Sequence, residues 1–120
     1  MTPPRRIPAA DRRFLCALWE AARSKIGEDP VLLDLRPLSP WMDYFLVVTG
    51  NSPPHRSALV SALRAVAPEK GAVLARQEGK PDDGWIVLNL GTVVAHIQSP
   101  EAREFYNIEG LWGDAVRIQV

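Results

Sequence analysis

The chain has 120 residues, with 14 Lys plus Arg against 14 Asp plus Glu, two His and one Cys, and 47% of its residues are apolar. That length fits one domain, and a domain of this size buries roughly two-thirds of the surface its unfolded chain exposes, enough for a core without disulfides or a structural metal. A formal charge of zero argues against free nucleic acid as the partner, because sequence-independent affinity for phosphate backbones comes from concentrated Lys and Arg. The lone Cys16 excludes an internal disulfide and any zinc site built on several thiolates. No apolar run approaches the roughly 20 residues of a membrane-spanning helix, and residues 1–10 lack the apolar stretch of a secretory signal. The expectation is a cytoplasmic protein with no membrane contact, an extension over residues 1–10 whose order is left open, and one domain over residues 11–120.

Asp11 is the expected N-cap of the first helix, whose apolar stripe is Phe14, Leu15, Leu18, Trp19, Ala22 and Ile26, with Arg23 and Lys25 in its last turn and Gly27 just beyond. After Pro30, residues 31–36 form a short aliphatic run interrupted by Asp34, and residues 44–49 form a second with stronger β propensity. The connection over residues 37–43 is too short for a helical crossover, so the two strands are predicted to be antiparallel. Gly50, Asn51 and Ser52 then turn the chain into a second helix, with Ser52 as N-cap and Pro53 in the first turn. Its stripe is Ala58, Leu59, Ala62, Leu63 and Val66, and Pro68 ends it.

A weaker strand is predicted over residues 72–77, followed by a polar loop over 78–84. The runs 85–90 and 93–98 are separated by Gly91 and Thr92, and Gly at the first of two loop positions suits a type II′ hairpin turn. In that register Ile86, Leu88, Leu90, Val93, Ala95 and Ile97 share one apolar face. Trp85, Val87, Asn89, Val94, His96 and Gln98 share the other, a mixed surface of the kind found where a sheet is partly covered or meets a partner. Ser99 and Pro100 repeat the cap signature of Ser52 and Pro53 and open a third helix carrying Phe105, Tyr106, Ile108, Leu111 and Trp112, its end made irregular by Gly110 and Gly113. The fold class is therefore α/β: a single domain with a five-stranded mixed sheet and about three helices.

Chemistry finds little support in the residues. A strand ending in Gly50-Asn51-Ser52 before a helix can present phosphates to a helix N-terminus. Metal-dependent phosphoryl transfer also needs converging carboxylates, whereas Asp34 stands alone on its strand and Asp82-Asp83 lies in a turn. No Gly-x-Ser-x-Gly elbow or cysteine-nucleophile signature is present, and Cys16 reads as a small apolar helix residue. No metal or cofactor is expected. His96 reads either as a histidine hydrogen-bonded within the sheet or as an interface group, and His55 as a solvated residue of the second helix. Trp85, at the entrance of its strand, reads either as a lid over the sheet edge or as an interface anchor, with Tyr106 and Trp112 as companions or simple docking residues.

Taken in order, Leu33-Asp34-Leu35-Arg36, Leu38-Ser39, Asp43-Tyr44-Phe45 through Gly50-Asn51-Ser52, Glu78-Gly79, Gly84-Trp85, Leu90-Gly91, Val93-Val94-Ala95-His96, Arg103-Glu104-Phe105-Tyr106 and Leu111-Trp112 closely resemble the RsfS/Iojap family of ribosomal silencing factors. The resemblance runs over residues 31–115. It implies a nucleotidyltransferase-like fold without catalytic carboxylates, and a non-enzymatic factor that docks on the large ribosomal subunit through ribosomal protein L-fourteen and obstructs joining of the small subunit. The resemblance also implies partner contacts at Trp85, Asn89, Thr92, His96 and Tyr106, with Trp85 matching the family tryptophan at the ribosomal-protein contact. Asn89 and Thr92 stand where the family commonly has Asp, and Gln98 where it more often has an apolar or aromatic residue. A large-subunit assembly role would use the same surface, and self-association of the free chain is left open.

Overall fold

The computed structural model describes residues 6–66 and 76–120. Strands β1 (Glu28–Asp34), β2 (Tyr44–Thr49), β3 (Arg76–Glu78), β4 (Trp85–Asn89), β5 (Val93–Gln98) and β6 (Val116–Arg117) form one mixed sheet in the order β3-β4-β5-β2-β1-β6. The predicted antiparallel pairing of β1 with β2 is present, with Leu33 opposite Phe45, and β2 runs parallel to β5, with Val47 beside His96. The β4–β5 hairpin has the predicted register, Ile86 facing Ile97 and Val87 facing His96. Gly91 alone supplies the positive φ, +95°, that the turn demands.

The sheet has six strands where five were expected. The additional strand, β6, is two residues long and pairs Val116 with Asp34 and Arg117 with Leu33, too short to leave a periodic signal in the sequence. Of the strand predicted over 72–77, only Arg76 and Gln77 fall among the described residues, and the end of the second helix at Pro68 lies outside them.

Two helices, α1 (Ala9–Ser24) and α2 (Pro53–Val66), cover one face. Leu15, Leu18 and Ala22 from α1 and Leu59 and Leu63 from α2 pack on Leu32, Leu46, Val48, Ile86, Leu88, Val93, Ala95 and Ile97. The opposite face buries Leu33, Leu35, Phe45 and Val47 beneath Ile108 and Trp112. These come from the C-terminal segment, which the structure divides into α3 (Pro100–Tyr106) and α4 (Ile108–Leu111). Asn107, at φ +45°, breaks the single helix expected there. Short Asn side chains tolerate the left-handed region and can cap locally.

Helix α1 starts at Ala9, and Asp11 is not its N-cap: Asp11 lies in the first turn, where its Oδ2 accepts a 2.8 Å hydrogen bond from the Tyr44 hydroxyl. The end of α1 also differs from expectation. Ile26 N–H donates to Arg23 O and Gly27 N–H to Ala22 O, a Schellman ending in which the left-handed residue, normally Gly, is Ile26 at φ +57°. Ile26 thus leaves the core stripe and is 79% exposed. Gly27 serves a different need, since a Cβ there would lie 2.6 Å from Val48 Cγ2.

A left-handed conformation costs a β-branched residue about 1–2 kcal/mol, and Ile26 recovers little of this by burial. Ile26→Gly is therefore expected to raise stability by about 1 kcal/mol, read as a higher urea midpoint with an unchanged slope. A lower midpoint would mean that Ile26 contributes packing its exposure does not suggest.

Candidate docking surface

The segment before β4 is shaped to deliver one tryptophan. Lys80 N–H donates to Asp83 Oδ2 at 2.9 Å, closing a 3-10 turn over Pro81–Asp83, and Gly84 follows at φ +80°. Gly84 O accepts from Ser99 N–H at 2.8 Å, which ties the start of β4 to the start of α3. Ser99 caps α3 as predicted, its Oγ accepting from Ala102 N–H at 3.1 Å.

Trp85 emerges from this junction half-buried. Its indole Nε1–H donates to His96 Nδ1 at 3.3 Å, and its ring lies 4.5 Å from that of Tyr106, centroid to centroid. His96 packs edge-on against Phe45 at 4.5 Å, Phe45 against Trp112 at 6.2 Å, and Tyr106 against Phe105 at 5.0 Å. These contacts form one aromatic chain, Trp112-Phe45-His96-Trp85-Tyr106-Phe105, running from the second core to the surface. Three of these contacts are edge-to-face, a geometry that adds about 0.5–1.5 kcal/mol beyond buried area, and the two made by Trp85 are tilted. At the outer end of this row Tyr106 and Phe105 are 47% and 79% exposed, and Leu111 on α4 is 78% exposed.

The five sequence-predicted contact residues divide into two groups. Trp85, His96 and Tyr106 are brought together. His96, however, is only 7% exposed; its place is under Trp85, as the acceptor that holds the indole. Asn89 and Thr92 are exposed at the far end of the hairpin, where Asn89 Oδ1 accepts from Gly91 N–H at 3.0 Å and braces the turn. From the sequence, Phe105 and Leu111 are expected as residues of the third helix and of the family-like blocks, and not among the contact residues. Their exposure follows from the break at Asn107, which the hydrophobic spacing does not reveal.

Three further residues of this region matter. Arg103 reaches from α3 to the ends of β1 and β2, its Nη1 donating to Thr49 Oγ1 at 3.0 Å. Gln98 is fully buried opposite Trp85 on the sheet, yet neither Nε2 nor Oε1 of its amide meets a hydrogen-bonding group among the described residues. Arg56 is buried on α2, donating to Gly50 O at 2.9 Å and to Pro81 O at 2.7 Å. The Gly50 turn is thereby filled from within: a Cβ on Gly50 would meet Arg56 Cγ, Asn51 N–H donates to His55 Nδ1, and Ser52 Oγ accepts from His55 N–H. His55 Nε2 in turn meets Lys25 O at 2.8 Å, so this histidine joins three segments. Asp34, the solitary strand carboxylate, is held by both Nε and Nη2 of Arg36 at 2.9 and 2.7 Å.

The sheet is covered on one face by two long helices and on the other by two short ones that leave Phe105 and Tyr106 in solvent, an α/β domain with one exposed aromatic edge. Over residues 8–120 the sequence matches the family described as ribosomal silencing factor during starvation. The chain belongs to that family. It is 36% identical over 111 residues to the ribosomal silencing factor RsfS of Halalkalibacterium halodurans, covering 92% of this chain and 95% of that one. A crystal structure of a Chromobacterium violaceum protein superimposes with a TM-score of 0.77 at 30% identity, covering 85% of each chain. A mouse protein named for mitochondrial assembly of the ribosomal large subunit is 30% identical over 93 residues, 75% of this chain and 41% of that one.

Burial pushes the His96 pKa down from 6.5 to about 4, because the imidazolium would lose its hydration. Between these values the unfolded chain binds the additional proton. Stability from this group is therefore complete above pH 6.5 and is lost as pH falls toward 4, by about 3 kcal/mol in all. Urea midpoints measured from pH 7.5 to 4.5 should fall for the wild type and fall less for His96→Gln; parallel profiles would exclude the effect. At Gln98, two buried amide groups without partners cost about 1–3 kcal/mol each. Gln98→Met, of similar volume, is expected to stabilise by at least about 1 kcal/mol in the same assay, and a loss would mean that the amide is satisfied.

Proposed function

We propose that this chain silences translation by docking on the large ribosomal subunit through ribosomal protein L-fourteen, where its bulk obstructs the approach of the small subunit. The observation that carries the reading is the aromatic row that runs from half-buried Trp85 to exposed Tyr106 and Phe105, on a chain that belongs to a family of silencing factors. Aromatic side chains of this kind dominate binding hot spots. Obstruction needs occupancy and no bond chemistry.

The hairpin fits one footprint. A specific interface covers about 800 Å² per partner, roughly 30 Å across, whereas Trp85 to Asn89 spans about 14 Å at 3.4 Å per residue. Asn89 shares the face of Trp85, so Asn89 and Thr92 supply polar contacts at one margin while Trp85 and Tyr106 fill the apolar centre. His96 contributes by orienting the indole. A nucleotide-handling enzyme is disfavoured because the Gly50–Ser52 turn spends its polar groups on Arg56 and His55. A role in large-subunit assembly, favoured by the printed name of the mouse relative, would use the same surface at an earlier stage.

Trp85→Glu places a charge in the centre of the footprint. The variant is expected to keep wild-type circular dichroism, to lose at least about 30-fold in affinity for isolated large subunits and for purified L-fourteen, and to stop preventing reassociation with small subunits. A folded variant that co-sediments with large subunits as the wild type does would remove Trp85 from the interface.

A further inference from the structure

We propose that Arg103 is the positioning residue of the docking surface, fixing the α3–α4 corner to the sheet so that Tyr106 and Phe105 stand at a set angle beside Trp85. This rests on the docking reading above. A guanidinium has five N–H donors in a planar fork, and here each has an acceptor. Nε and Nη2 grip Glu109 of α4 at 3.1 and 3.2 Å. Nη1 donates to Thr49 Oγ1 at 3.0 Å and Glu28 O at 3.2 Å, and the remaining Nη2 proton goes to Asp29 O at 2.6 Å. One side chain thereby ties both short helices to β1 and β2.

The backbone at both ends of this clamp is unusual. Asp29, at φ +47°, lies where the β1–β2 register shifts between Glu28 and Val31, at the two carbonyls that accept from Arg103. Asn107, at φ +45°, makes the corner, and its Oδ1 accepts from Gly110 N–H at 3.2 Å. Asp and Asn tolerate this region better than other non-glycine residues, and here the bonds of Arg103 and of the Asn107 side chain hold both turns. Apolar packing supplies only part of the orientation: α3 has seven residues and buries none of them, α4 buries only Ile108, and the remaining aromatic contacts are those of Tyr106 and Trp112. Helices this short do not hold themselves. The core under α1 and α2 does not involve Arg103, so its bonds act on the angle of the corner more than on the existence of the fold.

Lys at this position keeps the charge, and with it long-range steering, but offers three donors from a single nitrogen and cannot span Glu109, Thr49 and β1 together. In Arg103→Lys the presented geometry becomes one of several. Once docked, the contacts are those of the wild type. Binding of immobilised large subunits, followed in real time, should therefore show association about tenfold slower and dissociation nearly unchanged, as for a binding-competent state populated at about one part in ten. Tyr106→Ala removes a contact and should instead dissociate faster. Glu109→Gln, which leaves the bonds to β1 and β2, should give a smaller slowing of association and serves if Arg103→Lys does not fold. Wild-type association by a folded Arg103→Lys alongside fast dissociation of Tyr106→Ala overturns the positioning role and leaves docking intact. Wild-type rates for both Tyr106→Ala and Trp85→Glu overturn the docking surface itself.

Discussion

The left-handed turn at Gly91 sets which side of the β4–β5 hairpin each residue occupies, and both halves of the molecule depend on that assignment. Side chains alternate with a period of two, so a slip by one residue would send Trp85, His96 and Gln98 under α1 and α2 and turn Ile86, Leu88 and Ile97 toward α3. The parallel contact between β5 and β2 carries the same assignment into the centre of the sheet, where every residue of β2 is buried. Gly91 has open space around it; its backbone angle, and not its size, is what the position requires.

The hairpin, the antiparallel first pair, the caps at Ser52 and Ser99 and the apolar face are legible in the sequence because each rests on a short-range rule: alternation, loop length, or a hydroxyl three residues before an orphan N–H. The failures share another origin. Ile26 reads as a core residue and Gly27 as the helix terminator because the helical period continues through both. The structure reverses the roles, since the closeness of Val48 decides where the glycine is needed. Asn107 and β6 are invisible for a similar reason, being defined by what Arg103 and Asp34 reach across the fold. Of the site, Trp85 and Tyr106 stand out by type and setting. The exposure of Phe105 and Leu111 follows from the corner at Asn107, and the burial of His96 from its place between Phe45 and Trp85.

Polar groups under the docking face have different energetic standings. Arg103 has its five donors matched and its partners lie at the margin of the fold, where charge-assisted bonds gain without full desolvation. His96 is kept neutral and offers one nitrogen to the indole. Gln98 holds a buried amide with no return visible in its contacts. Proteins place such unfavourable groups more freely beneath functional surfaces than in purely structural cores, and the contrast with the wholly apolar side of the same hairpin is direct.

In the proposed reading the unequal covering of the two faces separates stability from recognition. Helices α1 and α2 bury five leucine and alanine positions of their own against the sheet, so cooperative folding can rest there. The opposite layer holds on through Ile108, Trp112 and a guanidinium, leaving Phe105, Tyr106 and Leu111 outside. If the aromatic row were sealed by longer helices the domain would gain apolar burial and lose the surface that distinguishes it from a plain α/β sandwich. In the proposed reading the short, broken C-terminal segment is the feature that lets a stable sheet bind, and Arg103 supplements the packing of Ile108 and Trp112 because Phe105, Tyr106 and Leu111 are left outside.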